Sequence, residues 1–303
     1  MKKPQAALTP LLPVNEVLGI VLTVTHMALM AFVFTSGKIL DGEVHAIQIM
    51  FLRYTSAFVL LLVIVWCRGN LRAHRTTQLS RHVLRACFGA IGTVTGIYAM
   101  IHMPVADAAA IGMLKGMLIV VFAVIILGEV VSGRQWLAAL LCAAGACVIV
   151  WGRGASLSMS GYGWAATVAF ISAVGTALEL ISVRYLALRE RPFTLTLYVS
   201  GIGALLLAIP AWMVWTSLSW KVWLFLLSLG PLAALAQTIN AYAYGMARAS
   251  LLAPATYANI VLAAMWGYLL FGEVPGATTW AGAVLIIAGG VWLARLGQRS
   301  PAR

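Results

Sequence analysis

Long apolar runs, separated by short clusters of charged and turn-forming residues, fill nearly the whole chain. A helix needs about 20 apolar residues to cross the hydrocarbon core of a bilayer, so runs of this length predict membrane-spanning helices. The pattern predicts ten spans. They run from Glu16 to Ser36, His45 to Trp66, Arg81 to Ile101, Val105 to Leu127, Arg134 to Trp151, Gly161 to Val183, Phe193 to Trp215, Lys221 to Tyr244, Ser250 to Leu270 and Ala277 to Arg295.

The composition agrees with this pattern, because 62% of the 303 residues are hydrophobic, 9% are charged and the mean hydropathy is +0.97. A soluble domain is about half apolar and about a quarter charged. Ten spans use nearly the whole chain, so they leave no room for a soluble catalytic domain. The sequence therefore predicts an all-α polytopic membrane protein embedded in a lipid bilayer.

The net charge of +12 would suggest a nucleic-acid partner in a soluble protein. With ten spans, however, both termini lie on one side of the membrane, and that side collects most of the lysines and arginines. The opposite side keeps Lys38, Arg153 and Lys221. This asymmetry follows the positive-inside rule, so we expect both termini in the cytoplasm, a bacterial inner (cytoplasmic) membrane and no nucleic-acid partner. The short segment before the first span predicts no removable signal peptide.

The two halves of the chain resemble each other after a shift of 144 residues. The matching segments are Tyr98-Ala99 with Tyr242-Ala243, Gly128-Glu129-Val130 with Gly272-Glu273-Val274, Trp136 with Trp280, and Ala144-Gly145 with Ala288-Gly289. Each half holds five predicted spans, an odd number, so the second copy enters the membrane from the opposite side. The sequence thus predicts two inverted five-helix repeats, in residues 1–151 and 161–296, which is the plan of many secondary transporters.

A doubled motif carries a resemblance to a known family. An apolar span ends in Leu127-Gly128-Glu129, and Trp136 and Gly145 follow; the same arrangement recurs as Phe271-Gly272-Glu273, Trp280 and Gly289. The chain resembles the EamA-type branch of the drug/metabolite transporter (DMT) superfamily over nearly its whole length, and Phe51-Leu52-Arg53-Tyr54 is similar to that family's second helix. The resemblance implies a ten-helix carrier with two five-helix halves, in a family that includes amino-acid exporters.

Several enzyme and ATPase motifs do not occur in the sequence. We find no GxxxxGK[ST] phosphate loop, no HExxH pair and no GxSxG elbow. The four cysteines lack the spacing of metal ligands. We therefore expect no enzymatic activity, no cofactor and no metal, and we expect transport to be driven by a gradient, with a proton or another ion as the possible coupling species.

Lys115 is the most unusual residue, because it lies near the centre of the predicted fourth span, between Gly112 and Gly116. A charge at the bilayer centre costs at least ~2.5 kcal/mol on insertion scales, so such residues face a cavity or a partner. One interpretation is an internal pair with Glu179 or Asp107. The other is a cationic anchor for a substrate carboxylate or phosphate. The family has a small polar residue and a proline at this place, so Lys115-Gly116 favours a substrate with a negative group.

Other polar residues in the predicted spans are candidates for the substrate site, since lipid cannot satisfy them. Asn259 is the repeat partner of Lys115, and Tyr257 precedes it by two residues. For each candidate, hydrogen bonding between helices is the alternative to substrate contact. His26 could relay protons or be a hydrogen-bonded core residue. The remaining candidates are Arg53, Tyr98, Gln237, Asn240 and Tyr242.

Three acidic residues favour structural roles. We expect Glu179 to pair with Arg184, with proton coupling as the alternative. We expect Glu129 and Glu273, at the helix-ending turns of the two repeats, to accept hydrogen bonds from backbone or loop donors.

The function that follows is secondary transport of a small organic metabolite, an amino acid or another carboxylate, by alternating access. A carrier of a larger anionic metabolite, such as a vitamin or a nucleotide-like compound, is the first alternative. A channel or a membrane-embedded binding protein is the second.

Overall fold

Ten helices of 14 or more residues make up most of the computed structural model, which describes residues 12–36, 44–69, 71–102, 111–152, 163–272 and 276–298. The described residues contain no strand, so the all-helical prediction is confirmed for them. The helices are α1 Glu16–Ser36, α2 Ala46–Cys67, α3 Leu79–His102, α4 Leu114–Leu127, α5 Gly133–Gly152, α6 Gly163–Ala187, α7 Pro192–Met213, α8 Trp220–Met246, α9 Ala258–Phe271 and α10 Ala277–Gln298.

Within the described residues, six helical segments are long and apolar enough to cross a membrane. They are Glu16–Val33, Ile47–Cys67, Trp164–Ala187, Pro192–Met213, Trp220–Met246 and Ala249–Leu270. Shorter apolar helices cover Leu114–Leu127, Gly133–Val148 and Ala277–Leu293.

Local capping explains why several helices begin where the sequence predicts. The His45 side chain accepts a hydrogen bond from the Ile47 amide (3.2 Å) before α2, and the Ser219 hydroxyl accepts one from the Val222 amide (3.5 Å) before α8. Such caps satisfy amides that have no partner within the helix. Pro192 occupies the first turn of α7, where its missing N–H costs nothing.

The predicted ninth span is present as Ala249–Leu270, but it is not one continuous α-helix. A short helix, Ala249–Leu252, runs into a 3₁₀ helix, Ala253–Tyr257, and only then does α9 begin. Pro254 lies in this break, where it removes one backbone donor and restricts the preceding residue.

The fourth span also differs from its prediction. Its helix α4 begins at Leu114, whereas the predicted start, Val105, lies outside the described residues together with Asp107. Lys115 and Asn259 are each the second residue of a 14-residue helix, α4 and α9. Both side chains therefore lie in the first turn of a short helix.

The 144-residue repeat is visible in the helix ends and in a contact between repeat partners. The bounds of α4 and α9 differ by 144 at both ends, and both helices stop at a glycine with positive φ, Gly128 (69°) and Gly272 (67°). Glycine adopts this left-handed conformation without steric cost. Met113 and Tyr257 are repeat partners, and they are in contact: the Tyr257 hydroxyl donates to the Met113 carbonyl (3.0 Å). The inverted orientation of the second half stays a prediction.

Small residues let the helices approach closely around the centre of the molecule. In the packing of α3 against α6, the Ser172 hydroxyl donates to the Gly92 carbonyl (2.5 Å), and a Cβ atom at Gly175 would lie 3.0 Å from the Gly92 nitrogen. In the packing of α2 against α8, a Cβ atom at Gly230 would lie 1.8 Å from the Ser56 hydroxyl oxygen and 2.8 Å from the Arg53 carbonyl oxygen.

We expect Gly230→Ala to lower the free energy of unfolding by about 1–3 kcal/mol, because the new methyl group meets the backbone of α2 and forces the helices apart. Thermal unfolding of the detergent-purified protein measures this effect. Gly290→Ala in α10 is the matched control, since a Cβ atom there meets nothing within 4 Å. Equal stability of the two variants would contradict the close packing of α2 and α8.

Candidate functional site

A cavity of about 670 Å³ lies among α1, α2, α3, α4, α6, α8 and α9. Ligand pockets usually measure about 300–1,000 Å³, so this one can hold a small metabolite. Its ionisable and amide side chains are His26, Arg53, Lys115, Glu179, Gln237, Asn240 and Asn259. Met27, Met30 and Met50 are among its apolar residues, and methionines adapt to ligands of irregular shape.

Lys115 and Asn259 line this cavity from the first turns of α4 and α9. Gly116 follows the lysine and packs directly on Tyr257, since a Cβ atom at Gly116 would lie 2.5 Å from the tyrosine ring. Helix α4 therefore meets the 3₁₀ helix that precedes α9, and a glycine is required at this contact. Six of the nine candidate residues line the cavity: His26, Arg53, Lys115, Gln237, Asn240 and Asn259.

Arg53 and His26 occupy the wall formed by α1 and α2, and both are buried. The Arg53 guanidinium lies 5.1 Å from the ring centroid of Tyr54, which also lines the cavity. The His26 Nδ1 atom lies 2.8 Å from the Ala236 carbonyl oxygen and must be the donor, because a carbonyl oxygen only accepts. His26 thus joins α1 to α8 by a hydrogen bond, as expected of a hydrogen-bonded core residue.

The Asn240 side chain has an unused hydrogen-bond acceptor. Its side chain is 2% exposed, and in the described part of the chain its Oδ1 atom has no hydrogen-bond partner. Buried polar atoms are usually paired, so this covered oxygen is an unsatisfied hydrogen-bond acceptor of a residue that lines the cavity.

The three candidate tyrosines do not line the cavity. Tyr257 is 3% exposed and packs between α4 and α5, where its hydroxyl donates to the Met113 carbonyl. Tyr98 and Tyr242, which are repeat partners, are 36% and 38% exposed on the outer surface of α3 and α8. The structure therefore does not bring these aromatic rings together with Lys115.

The predicted pairing of Glu179 with Arg184 is wrong. Arg184 donates to the Tyr244 carbonyl (2.6 Å) and lies 3.5 Å from the Glu129 carboxylate, so its guanidinium is already engaged. Glu179 faces the cavity instead, within electrostatic reach of Lys115 and Arg53.

Arg85 is a functional candidate that the sequence analysis counted only as a cytoplasmic charge. It is 1% exposed, donates to the Leu195 carbonyl (3.1 Å) and interacts electrostatically with Glu179. A signal for it was present: residues 82, 85, 89, 92 and 96 of α3 are polar or glycine, spaced three or four apart on one helix face. The glycines of this face pack on α6, whereas Arg85 contacts α7.

Ionic contacts close the molecule near the start of α1. The Glu129 carboxylate accepts hydrogen bonds from the Ala249 amide (2.9 Å), the Ser250 amide (2.9 Å) and the Ser250 hydroxyl (2.6 Å). The prediction that Glu129 satisfies backbone and loop donors is confirmed, whereas Glu273 lies outside the described residues. Nearby, Arg248 forms an ion pair with Glu16 (2.9 Å).

The charges of the cavity suit an organic ion. Two cations, Lys115 and Arg53, and one carboxylate, Glu179, line it, and Arg85 adds a third cation behind the wall. Among the described residues no group of three or more His, Cys, Asp or Glu side chains could hold a metal ion.

Comparisons with known proteins agree with this arrangement. A pseudopaline exporter of Pseudomonas aeruginosa is 30% identical over 82% of this chain and 86% of its own length. A riboflavin transporter of Brucella anthropi is 28% identical over 82% of this chain and 88% of its own length. An S-adenosylmethionine uptake transporter of Rickettsia felis is 23% identical over 90% of this chain and 92% of its own length. A crystal structure that is 20% identical over 94% of this chain and 98% of its own superimposes with a TM-score of 0.77, which shows the fold alone.

The EamA-like transporter family matches this chain twice, over residues 17–151 and 160–295. These two matches cover most of the sequence, and the relatives above are membrane transporters of small molecules and not enzymes. The chain belongs to the EamA-like transporter family of the DMT superfamily.

Proposed function

We propose that this protein is a secondary carrier that moves a small organic metabolite with a carboxylate group, an amino acid or a related acid, across the cytoplasmic membrane. The observation that supports this best is the cavity of about 670 Å³ in which Lys115 and Arg53 both line the wall. Cations inside a membrane protein are costly and mark substrate paths by default. A carboxylate bound between them offsets that cost.

The first turns of the two short helices would orient such a substrate. Lys115 binds the carboxylate and Asn259 contributes a donor and an acceptor from the opposite short helix. Gln237 and the unpaired Asn240 Oδ1 atom supply further polar contacts from α8. Met27, Met30 and Met50 accommodate the apolar part of the metabolite.

Transport would proceed by alternating access between two inverted halves, residues 1–151 and 161–296, with both termini in the cytoplasm. Helices α4 and α9 support this plan, because they have the same length and each is followed by a glycine with positive φ. The cavity lining reaches Val33 and Val44, at the end of α1 and just before α2, whereas the ionic contacts of Glu16 and Glu129 close the other end. A proton or another ion would supply the driving gradient.

A larger anionic metabolite, such as a vitamin or a nucleotide-like compound, is the second candidate substrate. The relatives named for riboflavin and S-adenosylmethionine favour the larger size of this candidate and not its negative charge, and the cavity volume is large enough for a molecule of that size. Competition between small carboxylates and these larger compounds separates the two candidates.

Thermal stabilisation of the purified protein tests the substrate class, because a ligand that binds the native state raises its stability with concentration. We expect L-glutamate, L-phenylalanine or citrate to raise the melting temperature, and we expect choline, a cation without a carboxylate, to have no effect. Stabilisation by riboflavin alone would favour the second candidate. Stabilisation by choline and by none of the carboxylates would contradict the proposal.

A further inference from the structure

Glu179 has a defined place in the cavity wall. Its carboxylate packs against α3 at Gly89, where a Cβ atom would lie 3.1 Å from both Cδ and Oε2 of the glutamate. The same side chain lines a narrow crevice between α2, α3 and α7. Because any side chain at Gly89 would press on the carboxylate, the glycine fixes where Glu179 presents its oxygens.

Arg85 supplies countercharge to Glu179 from behind the wall. The arginine is fully buried, does not line the cavity and is held by its hydrogen bond to the Leu195 carbonyl. A buried carboxylate is tolerated when a partner of opposite charge is nearby. A carboxylate accepts hydrogen bonds at about four lone-pair positions, and Arg85 interacts with Glu179 through its charge, so these positions are open to a molecule bound in the cavity.

The cavity therefore displays both signs of charge to a bound molecule. Lys115 and Arg53 attract an anionic group, and Glu179, on the same wall, attracts a cationic one. An acid without an amino group brings a second negative charge into the cavity that Glu179 lines. An α-amino acid satisfies both, since its ammonium group has three donors and no acceptor.

We infer that Glu179 binds the ammonium group of a zwitterionic substrate and makes the site select α-amino acids over the same acids without the amino group. This inference rests on the proposed carboxylate carrier and adds the second recognition group. Arg85 and Gly89 position Glu179 for this role and do not touch the substrate.

Matched pairs of compounds that differ only in the α-amino group test the inference: L-glutamate with glutarate, and L-phenylalanine with 3-phenylpropionate. The concentration for half-maximal thermal stabilisation is measured for each compound with wild type, Glu179→Gln, Glu179→Asp and Glu190→Gln. Glu190 bonds His82 outside the cavity, so its variant controls for the loss of an ionic contact in general.

We expect wild type to bind the amino form of at least one pair about ten-fold or more tightly than the deaminated form, the usual scale for a hydrogen bond to a charged group. Glu179→Gln brings this ratio close to one, while Glu179→Asp and Glu190→Gln keep a preference. A ratio unchanged in Glu179→Gln, or no preference in wild type, would overturn the inference and leave the carboxylate carrier standing. Failure of all four compounds and of citrate to stabilise wild type would overturn the carboxylate carrier itself.

Discussion

We expect Lys115→Ala to weaken the binding of a carboxylate substrate by about ten-fold or more and to reduce transport accordingly. A hydrogen bond to a charged group contributes about 1.5–3 kcal/mol, and every 1.4 kcal/mol is a factor of about ten in affinity. The side chain lines the cavity from the first turn of α4, where no other cation of that helix can replace it. Half-saturation of uptake into proteoliposomes measures the effect.

Two further variants make the Lys115 result specific. Lys221→Ala removes an exposed cation from the first turn of α8 that does not line the cavity, and we expect it to bind substrate like wild type. Lys115→Arg keeps the charge and should retain part of the affinity. Unchanged affinity and transport in Lys115→Ala would remove the lysine from the substrate site.

The second large effect is expected at Glu129. Its carboxylate accepts three hydrogen bonds from Ala249 and Ser250 and lies 3.5 Å from Arg184, so its loss leaves a nearly buried arginine without its counterion. Breaking such a pair costs about 3–5 kcal/mol. We expect Glu129→Ala to lower the free energy of unfolding by about 3 kcal/mol, measured by thermal unfolding in detergent.

The neighbouring ion pair of Glu16 and Arg248 provides the comparison. Arg248 is more exposed than Arg184, and ion pairs open to solvent contribute about 1 kcal/mol or less. Glu16→Gln should therefore destabilise the protein much less than Glu129→Ala. Equal effects of the two variants would show that Glu129 is one weak surface contact among several and does not hold this end of the molecule closed.

Much of the fold could be predicted from the sequence because membrane helices carry strong local signals. The apolar runs located the ten helices, and the ends of α1, Glu16 and Ser36, agree with the structure. The ends of α4 and α9 at Gly128 and Gly272 could be predicted because the Gly-Glu turn occurs in both halves of the sequence. Only glycine takes a positive φ without strain. The break at Pro254 was missed because the residues around it are as apolar as a continuous span.

The site could be predicted only in part, because hydropathy says which residues are unusual but not which helices meet. Lys115 and Asn259 were found through their depth and their repeat relation, and both line the cavity. Tyr98 and Tyr242 were chosen by the same reasoning, yet their helix faces point outward. Glu179 was assigned to the nearest cation along the chain, whereas its partner Arg85 comes from a different helix, α3.

The most direct test of the account is counterflow in proteoliposomes. Vesicles are loaded with an excess of unlabelled L-glutamate, or of whichever tested carboxylate stabilises the protein most, and a trace of the labelled compound is added outside. We predict transient accumulation of label that saturates with external concentration, as carriers with one alternating site show, and loss of this accumulation in Lys115→Ala. Simple equilibration of the label without accumulation, at the same rate in wild type and Lys115→Ala, would contradict a carrier that binds its substrate at Lys115.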